Sequence, residues 1–184
     1  KEIKIGPSPS SSRGKSLSLT TQQRPTPQQL HNIETSSEPR IDMGDGELNR
    51  VLGGGLVPGS LVLLGGEPGI GKSTLTLQTV LQLQNRRILY ISGEESARQI
   101  KLRADRLGLD CRKLYFLGCT DMDGVISAAK QAQTQVLIID SIQTMYDDSS
   151  SSAPGTVSQI RNSTQALIHQ AKTNNCAVLI VGHV

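Results

Sequence analysis

The residues of this 184-residue chain that are best suited to chemistry lie in one glycine-rich stretch, GEPGIGKS. It satisfies the pattern G-x-x-x-x-G-K-[ST], follows an apolar run and precedes a helical pattern. Glycines allow backbone N–H groups to turn toward a phosphate, the lysine reaches the β- and γ-oxygens, and the hydroxyl ligates magnesium. The stretch predicts a nucleoside triphosphate site formed by Gly66, Glu67, Pro68, Gly69, Ile70, Gly71, Lys72, Ser73 and Thr74.

Acidic residues follow two further apolar runs. Asp140 ends the run VLIID, where a carboxylate would share magnesium with Ser73 and hold it through water. Glu94 and Glu95 follow the run ILYIS, and either could polarise a water for attack on the γ-phosphate or cap the next helix. We favour Glu94 as the base, so that Lys72, Glu94 and Glu95 are the catalytic candidates.

A histidine, His183, follows the last apolar run and would lie at the same edge of the sheet. It could sense the γ-phosphate, but a single histidine at a strand end is as often structural. The polar segment Gln143 to Gln159 follows the Asp140 run and contains the serine run Ser149–Ser152. Such a segment can carry function or be a tolerated insertion, and the sequence leaves both open.

Five short apolar runs, rich in Leu, Ile and Val, must position these side chains. They cover 61–65, 88–92, 114–117, 136–140 and 178–182, and they suit buried parallel strands. Apolar stripes predict helices over 97–107 and 157–171, with a further helix directly after the glycine-rich stretch. The fold class is therefore α/β: a P-loop fold of three α/β/α layers around a mainly parallel sheet, with sites at the carboxyl ends of the strands.

The first 40 residues differ in composition from the rest. Five of the eight prolines lie there among Ser, Thr and Gln, which is typical of a disordered or linker segment. We expect the folded domain to cover 41–184. Since the chain starts at Lys1 and stops where an apolar strand would end, we also expect a fragment whose sheet is incomplete on the C-terminal side.

Composition limits the partners that the chain can bind. The net charge of +3 gives no strong basic field, and three Tyr, one Phe and no Trp leave few rings for stacking bases. A DNA partner would therefore be held mostly by its phosphates. The basic run from Arg98 to Arg106 is diluted by acids and is typical of a solvated helix face.

Cysteine spacing and hydropathy argue against a zinc-binding protein, a disulfide-rich protein and a membrane protein. Cys111, Cys119 and Cys176 stand far apart without a CxxC pair, which predicts neither a zinc site nor a disulfide framework. No apolar run approaches the roughly 20 residues of a membrane span, and no charged-then-apolar leader opens the chain. We expect no membrane partner and a cytoplasmic location.

Several motifs in order resemble one family, the RadA/Sms DNA-repair ATPases of bacteria and organelles. They are RVLGGGLVPGSLVLLGGEPGIGKSTL, ILYISGEESARQIKLRADRLGL, LIIDSIQTMY, SAPGTVSQIR and LIVGHV, and the resemblance covers about Ile41 to Val184. It implies a RecA-like motor that uses ATP and Mg²⁺ and forms a hexameric ring on single-stranded or branched DNA. Such a motor acts with a RecA-type recombinase and migrates branches as a DnaB-type helicase does.

The resemblance also assigns roles to residues. It implies that Gly66 to Ser73 bind ATP, Glu94 is the catalytic carboxylate, Asp140 is the Walker B acid and His183 is the sensor. Residues 146–155 fall where RecA-like motors have their first DNA-facing loop. The implied location is the nucleoid-associated cytoplasm, or an organelle if the source is a plant.

Three family features are not found in the sequence. The amino-terminal four-cysteine module is absent, so no zinc is expected here, and the Lys-Asn-Arg-Phe-Gly motif and Lon-protease-like domain are expected beyond Val184. We therefore expect the fragment to bind ATP with poor turnover.

Two other functions stay open. One is a RecA-like regulatory ATPase of the KaiC kind, which would lack DNA-stimulated hydrolysis. The other is a metabolic kinase, which would need an acceptor pocket.

Overall fold

Within the described residues of this computed structural model, which are 27, 29–32, 39–83 and 85–183, five strands form one parallel sheet. The strands are β1 (Leu61–Gly66), β2 (Ile88–Ser92), β3 (Leu114–Leu117), β4 (Val136–Asp140) and β5 (Ala177–His183). Their order across the sheet is β1-β5-β4-β2-β3. Every residue of β2 and β4 is buried, as expected for strands covered on both faces. The prediction of a parallel α/β sheet is confirmed.

Five α-helices connect and cover the strands of the described chain. They are α1 (Gly46–Val51), α2 (Lys72–Leu81), α3 (Ala97–Leu107), α4 (Met122–Gln131) and α5 (Val157–Asn174). Short 3-10 turns occur at Leu30–Asn32 and Ile142–Thr144. None of the helices described is both long and apolar enough to cross a membrane.

The predicted helix after β2 is confirmed. It begins at a capping box, in which Ser96 Oγ accepts from the Gln99 backbone N–H and the Gln99 side chain accepts from the Ser96 backbone N–H. It ends at Gly108, whose φ of 66° is the left-handed conformation that glycine adopts without strain.

Helix α4 is not among the sequence predictions. Its buried stripe is short and consists of Met122, Val125 and Ala129, and Gly124 in its first turn is a weak helix former. The available signal was Asp121, whose side chain caps the helix by accepting from the backbone N–H groups of Asp123 and Gly124.

The stripe predicted for α5 is correct only in part. Leu167 and Ala171 are buried, but Val157 is 83% exposed and Ile168 is 38% exposed. Polar residues, among them Gln159, occupy buried positions on the same helix. Gln159 is buried because the amino end of α5 packs against a polar segment, as described below.

Alternate residues of each central strand face two separate cores. Tyr90 and Ile138 pack into the core that includes α2 and α3 residues, whereas Ile91 and Ile139 pack with residues of α4 and α5. This is the period-2 alternation of a strand covered by helices on both faces. The predicted three-layer arrangement is therefore confirmed.

The described chain from residue 39 onward is fastened near its start by a small antiparallel bridge. Ile41 and Leu56 exchange backbone hydrogen bonds of 2.8 and 2.9 Å, and both side chains are buried. Gly55 permits this approach, since a Cβ there would lie 2.4 Å from the Ile41 carbonyl oxygen. The predicted linker 1–40 lies mostly outside the described residues, so the boundary near residue 40 stays a prediction.

Parallel register brings the carboxyl ends of four strands to one edge. Gly66 at the end of β1 pairs with His183 of β5, and Asp140 of β4 pairs with Val181 on one side and Ser92 on the other. Candidate site residues are the last residues of β4 and β5, or lie in the segments that follow β1 and β2. The edge is therefore where the site must form.

Candidate functional site

The glycine-rich stretch forms a loop between β1 and α2. Gly69 and Gly71 have φ values of 82° and 96°, a region that side chains with a Cβ avoid, so the turn itself requires glycine at both positions. Gly71 is the N-cap of α2 and provides no side-chain hydrogen bond. The first N–H groups of this ten-residue helix are therefore available to an anion, with the positive end of the helix dipole behind them.

Lys72 is the first residue of α2 and its side chain folds back over the loop. Only 6% of the residue is exposed, and Nζ donates to the carbonyl oxygens of Gly66 and Glu67, both at 2.7 Å. A buried ammonium requires such acceptors, because burial without them would be costly. The ammonium thus lies at the loop, where phosphate oxygens could replace the carbonyls.

A cavity of about 400 Å³ opens beside this loop. Six of the nine predicted nucleotide-binding residues line it, together with both glutamates and the predicted sensor. The lining residues are Pro68, Gly69, Gly71, Lys72, Ser73, Thr74, Glu94, Glu95, Arg103 and His183. Gly66 and Glu67 contribute carbonyls to Lys72 instead, and Ile70 is 64% exposed. The arrangement suits a ligand with several phosphate groups.

Asp140 is buried at the end of β4, next to this cavity but not lining it. Its Oδ2 accepts from the hydroxyl of Tyr90, a fully buried residue of β2. Burial, and then the negative charge of Asp140, raise the pKa of Tyr90, so the phenol stays a proton donor. Sequence reasoning missed Tyr90, although it is the one aromatic residue in the run ILYIS.

The chemistry of the donors fits magnesium bound together with phosphates. Ser73 and Asp140 offer the hydroxyl and carboxylate oxygens that this ion takes. In the part of the chain that the structure describes, no three His, Cys, Asp or Glu side chains group into a metal site. A metal here would therefore take most of its ligands from the nucleotide and from water.

The two neighbouring glutamates have different surroundings. Both Glu95 carboxylate oxygens accept from Arg103 Nη2, at 2.8 and 2.6 Å, and both side chains of this ion pair are only about a quarter exposed. The Glu94 side chain is 51% exposed, and its Oε1 accepts from Ser141 Oγ at 2.7 Å. Both glutamates line the cavity, but Glu95 is held by an ion pair, whereas Glu94 is more exposed and, among the described residues, only its Oε1 accepts a hydrogen bond.

His183 lies between the loop and Glu94. Its Nε2 is 3.6 Å from Glu94 Oε1, and its backbone carbonyl accepts from Gln143 Nε2 at 3.0 Å. Its Nδ1 is buried and has no hydrogen-bond partner among the described residues. The imidazole therefore contacts the candidate base at one nitrogen and has an unused nitrogen at the other.

The polar segment after β4 is more ordered than a simple insertion. The amide of the buried Gln159 donates to the carbonyls of Asp147, Ser150 and Ser152, and accepts from the Asp147 N–H at 2.9 Å. The backbone of Tyr146 also pairs with that of Thr120. We call residues 147–152 the serine loop, and Gln159 is its centre.

The basic run on α3 is partly neutralised by local partners. Arg103 pairs with Glu95, and Lys101 pairs with Asp105 one turn away. Just beyond the helix, Arg112 pairs with Asp110 at 2.7 Å. The exposed pairs of Lys101 and Arg112 agree with the sequence-based interpretation of a solvated face, whereas Arg103 is turned toward the cavity.

Comparison with known proteins adds family information. A family model described as AAA domain matches residues 25–184. DNA repair protein RadA of Bacillus subtilis (strain 168) is 53% identical over 171 residues, which is 92% of this chain and 37% of that protein. The corresponding protein of Pseudomonas aeruginosa is 47% identical over 156 residues, 84% of this chain and 34% of the relative. The resemblance inferred from the motifs is confirmed, and the chain spans about a third of the length of these relatives.

The Tyr90–Asp140 contact generates a stability prediction. Tyr90→Phe should lower the free energy of unfolding by about 1–3 kcal/mol, because the buried Asp140 carboxylate loses its donor. Urea denaturation measures this, with Tyr115→Phe as the control because Tyr115 is 55% exposed. Equal losses in the two variants would contradict the assignment.

Proposed function

We propose that this chain, which belongs to the AAA-domain family, binds ATP and magnesium and hydrolyses ATP to act on DNA in repair. The observation that carries the proposal is the buried Lys72 ammonium, which donates to two carbonyls of the glycine loop. It lies at a helix N-terminus that has no side-chain cap. This combination binds phosphates strongly, since backbone N–H groups, the helix dipole and a cation converge.

Each site residue has one role in this proposal. Lys72 binds the β- and γ-phosphates, and Ser73 and Asp140 hold the magnesium, Asp140 through water. The magnesium supplies charge neutralisation on the phosphates when it is bound. Glu94 orients the attacking water and takes up its proton, because it lines the cavity, is half exposed and, unlike Glu95, is not paired with Arg103.

The other two residues support this chemistry. Glu95 is a structural partner of Arg103, since that ion pair occupies both of its oxygens. His183 senses the γ-phosphate, which its position beside Glu94 supports. Loss of the phosphate changes the field at the imidazole, and the hydrogen bond from Gln143 connects His183 to the segment after β4.

We propose that DNA is the macromolecular partner, because the relatives are DNA repair proteins by name. Residues 146–155 form the candidate DNA-facing loop. The segment from Gln143 to Ile160 contains two Asp and neither Lys nor Arg, so it does not neutralise phosphates. Contacts through this loop therefore use hydroxyls and backbone N–H groups, which position DNA and contribute little salt-dependent affinity.

The whole protein, in this proposal, is a homo-oligomeric ring, hexameric in the simplest case, that works with a RecA-type recombinase. It drives branch migration or helicase movement on recombination intermediates. Its location is the bacterial cytoplasm with the nucleoid, or an organelle. The competing proposal is a RecA-like regulatory ATPase of the KaiC kind.

DNA-stimulated hydrolysis separates these two functions. In the full-length protein, we expect ATP hydrolysis to rise when single-stranded DNA is added, measured as phosphate release. Lys72→Ala is the control and should abolish hydrolysis with and without DNA, because the cation at the γ-phosphate is lost. No stimulation would favour the regulatory ATPase, and wild-type turnover in Lys72→Ala would refute the nucleotide site itself.

The two glutamates should differ in their effect on turnover. Glu94→Gln should retain ATP binding and lose about 10²-fold or more in kcat, the scale of a general base. Glu95→Gln should lose less turnover, since its carboxylate is bound to Arg103. Steady-state kinetics and nucleotide titration on both variants measure this. The opposite ranking would identify Glu95 as the base.

Coupling between nucleotide and DNA should depend on the serine loop. The full-length protein should bind single-stranded DNA more tightly with a non-hydrolysable ATP analogue than with ADP. Gln159→Ala removes the centre of the loop and should reduce this difference without changing ATP affinity, as should a short Gly linker in place of Ser149–Ser152.

Fluorescence anisotropy with labelled DNA measures both affinities. Gln165→Ala is the matched control, because Gln165 is exposed on the same helix. If Gln159→Ala behaves as Gln165→Ala does, the serine loop does not transmit the nucleotide state. If wild-type DNA affinity is equal in both nucleotide states, the motor proposal is wrong.

A further inference from the structure

The strongest unassigned contact in the site joins Ser141 to Glu94. Ser141 directly follows Asp140 and is fully buried, and its Oγ donates to Glu94 Oε1 at 2.7 Å. The two residues are 47 positions apart in sequence, at the ends of β4 and β2. A hydroxyl bond to a carboxylate is charge-assisted and is among the stronger side-chain hydrogen bonds.

Ser141 is itself held rigidly. Its backbone carbonyl accepts from Thr144 Oγ1 at 2.8 Å and from the Thr144 N–H at 3.2 Å. The same 3-10 turn is tied to β5 through Gln143 and the His183 carbonyl. The hydroxyl therefore projects from a support that is fixed to two strands.

Glu94 needs such a support because it lies on the short segment between β2 and α3 and its side chain is half exposed. Gly93 lets the 3-10 turn approach, since a Cβ there would lie 2.5 Å from Thr144 Oγ1. Elsewhere in the described chain, no side chain donates a hydrogen bond to the Glu94 carboxylate, and His183 stays 3.6 Å away. The orientation of Glu94 thus depends on one donor.

We propose that Ser141 is a positioning residue for Glu94: its hydroxyl fixes one carboxylate oxygen so that the other faces the attacking water. This inference rests on the proposed role of Glu94 in ATP hydrolysis. Ser141 is not a nucleophile, because it is fully buried and its hydroxyl donates to the carboxylate rather than to His183.

A double-mutant cycle in the full-length protein tests this proposal. Ser141→Ala should lower kcat for ATP about 5- to 20-fold, the scale of one lost charged hydrogen bond and a misoriented base, with the Kd for ATP unchanged. In a Glu94→Ala background the same substitution should change kcat less than 2-fold, because its acceptor is already gone. Ser163→Ala is the matched control and should retain wild-type kcat, since Ser163 is a fully buried serine of α5 whose hydroxyl has no hydrogen-bond partner among the described residues.

The outcomes separate this inference from the proposed function. A wild-type kcat in Ser141→Ala, with kcat lowered about 10²-fold or more in Glu94→Ala, overturns the positioning role alone. Equal fold losses in both backgrounds, or an equal loss in Ser163→Ala, also overturn it, because they indicate a general structural effect. Wild-type kcat in Glu94→Ala overturns the role of Glu94 and, with it, that of Ser141.

Discussion

The hydrogen-bond ladder that joins β4 to β2 on one side and to β5 on the other fixes where every candidate site residue lies. Asp140 pairs with Ser92 and with Val181, so Glu94, which follows β2, and His183, the last residue of β5, both lie near it. Pairing of Gly66 with His183 brings the glycine loop to the same end of the sheet. A one-residue shift in this register would turn Asp140 to the other face of the sheet and remove it from the site.

Each charged group of the site has a specific partner. Lys72 donates to two carbonyls, Asp140 accepts from Tyr90, and Glu95 is paired with Arg103. The three partners differ in how easily a ligand can replace them. Loop carbonyls can give way to phosphate oxygens, whereas a buried phenol and an ion pair stay in place. The Lys72 ammonium is therefore the charged group of the three whose present partners a ligand could replace.

Much of the fold could be predicted from the sequence, because apolar runs and end signals are local properties. The five strands, the helix after the glycine loop and the capped helix α3 follow from them. Helix α4 was missed because its apolar stripe is short and Gly124 is a weak helix former. Val157 and Ile168 proved exposed because α5 buries Gln159 instead. The contacts of Tyr90 and Ser141 could not be predicted, since each joins residues about 50 positions apart and depends on strand register. The predicted roles of the site residues stay predictions.

The amide of Gln159 has a consequence for the entropy of binding. Ordering a backbone residue costs about 1–2 kcal/mol, which a flexible loop must meet at the moment a ligand docks. Four hydrogen bonds between Gln159 and the serine loop mean that folding has already met much of this cost. The loop is therefore preorganised, because the side chain of one α5 residue holds its backbone in place.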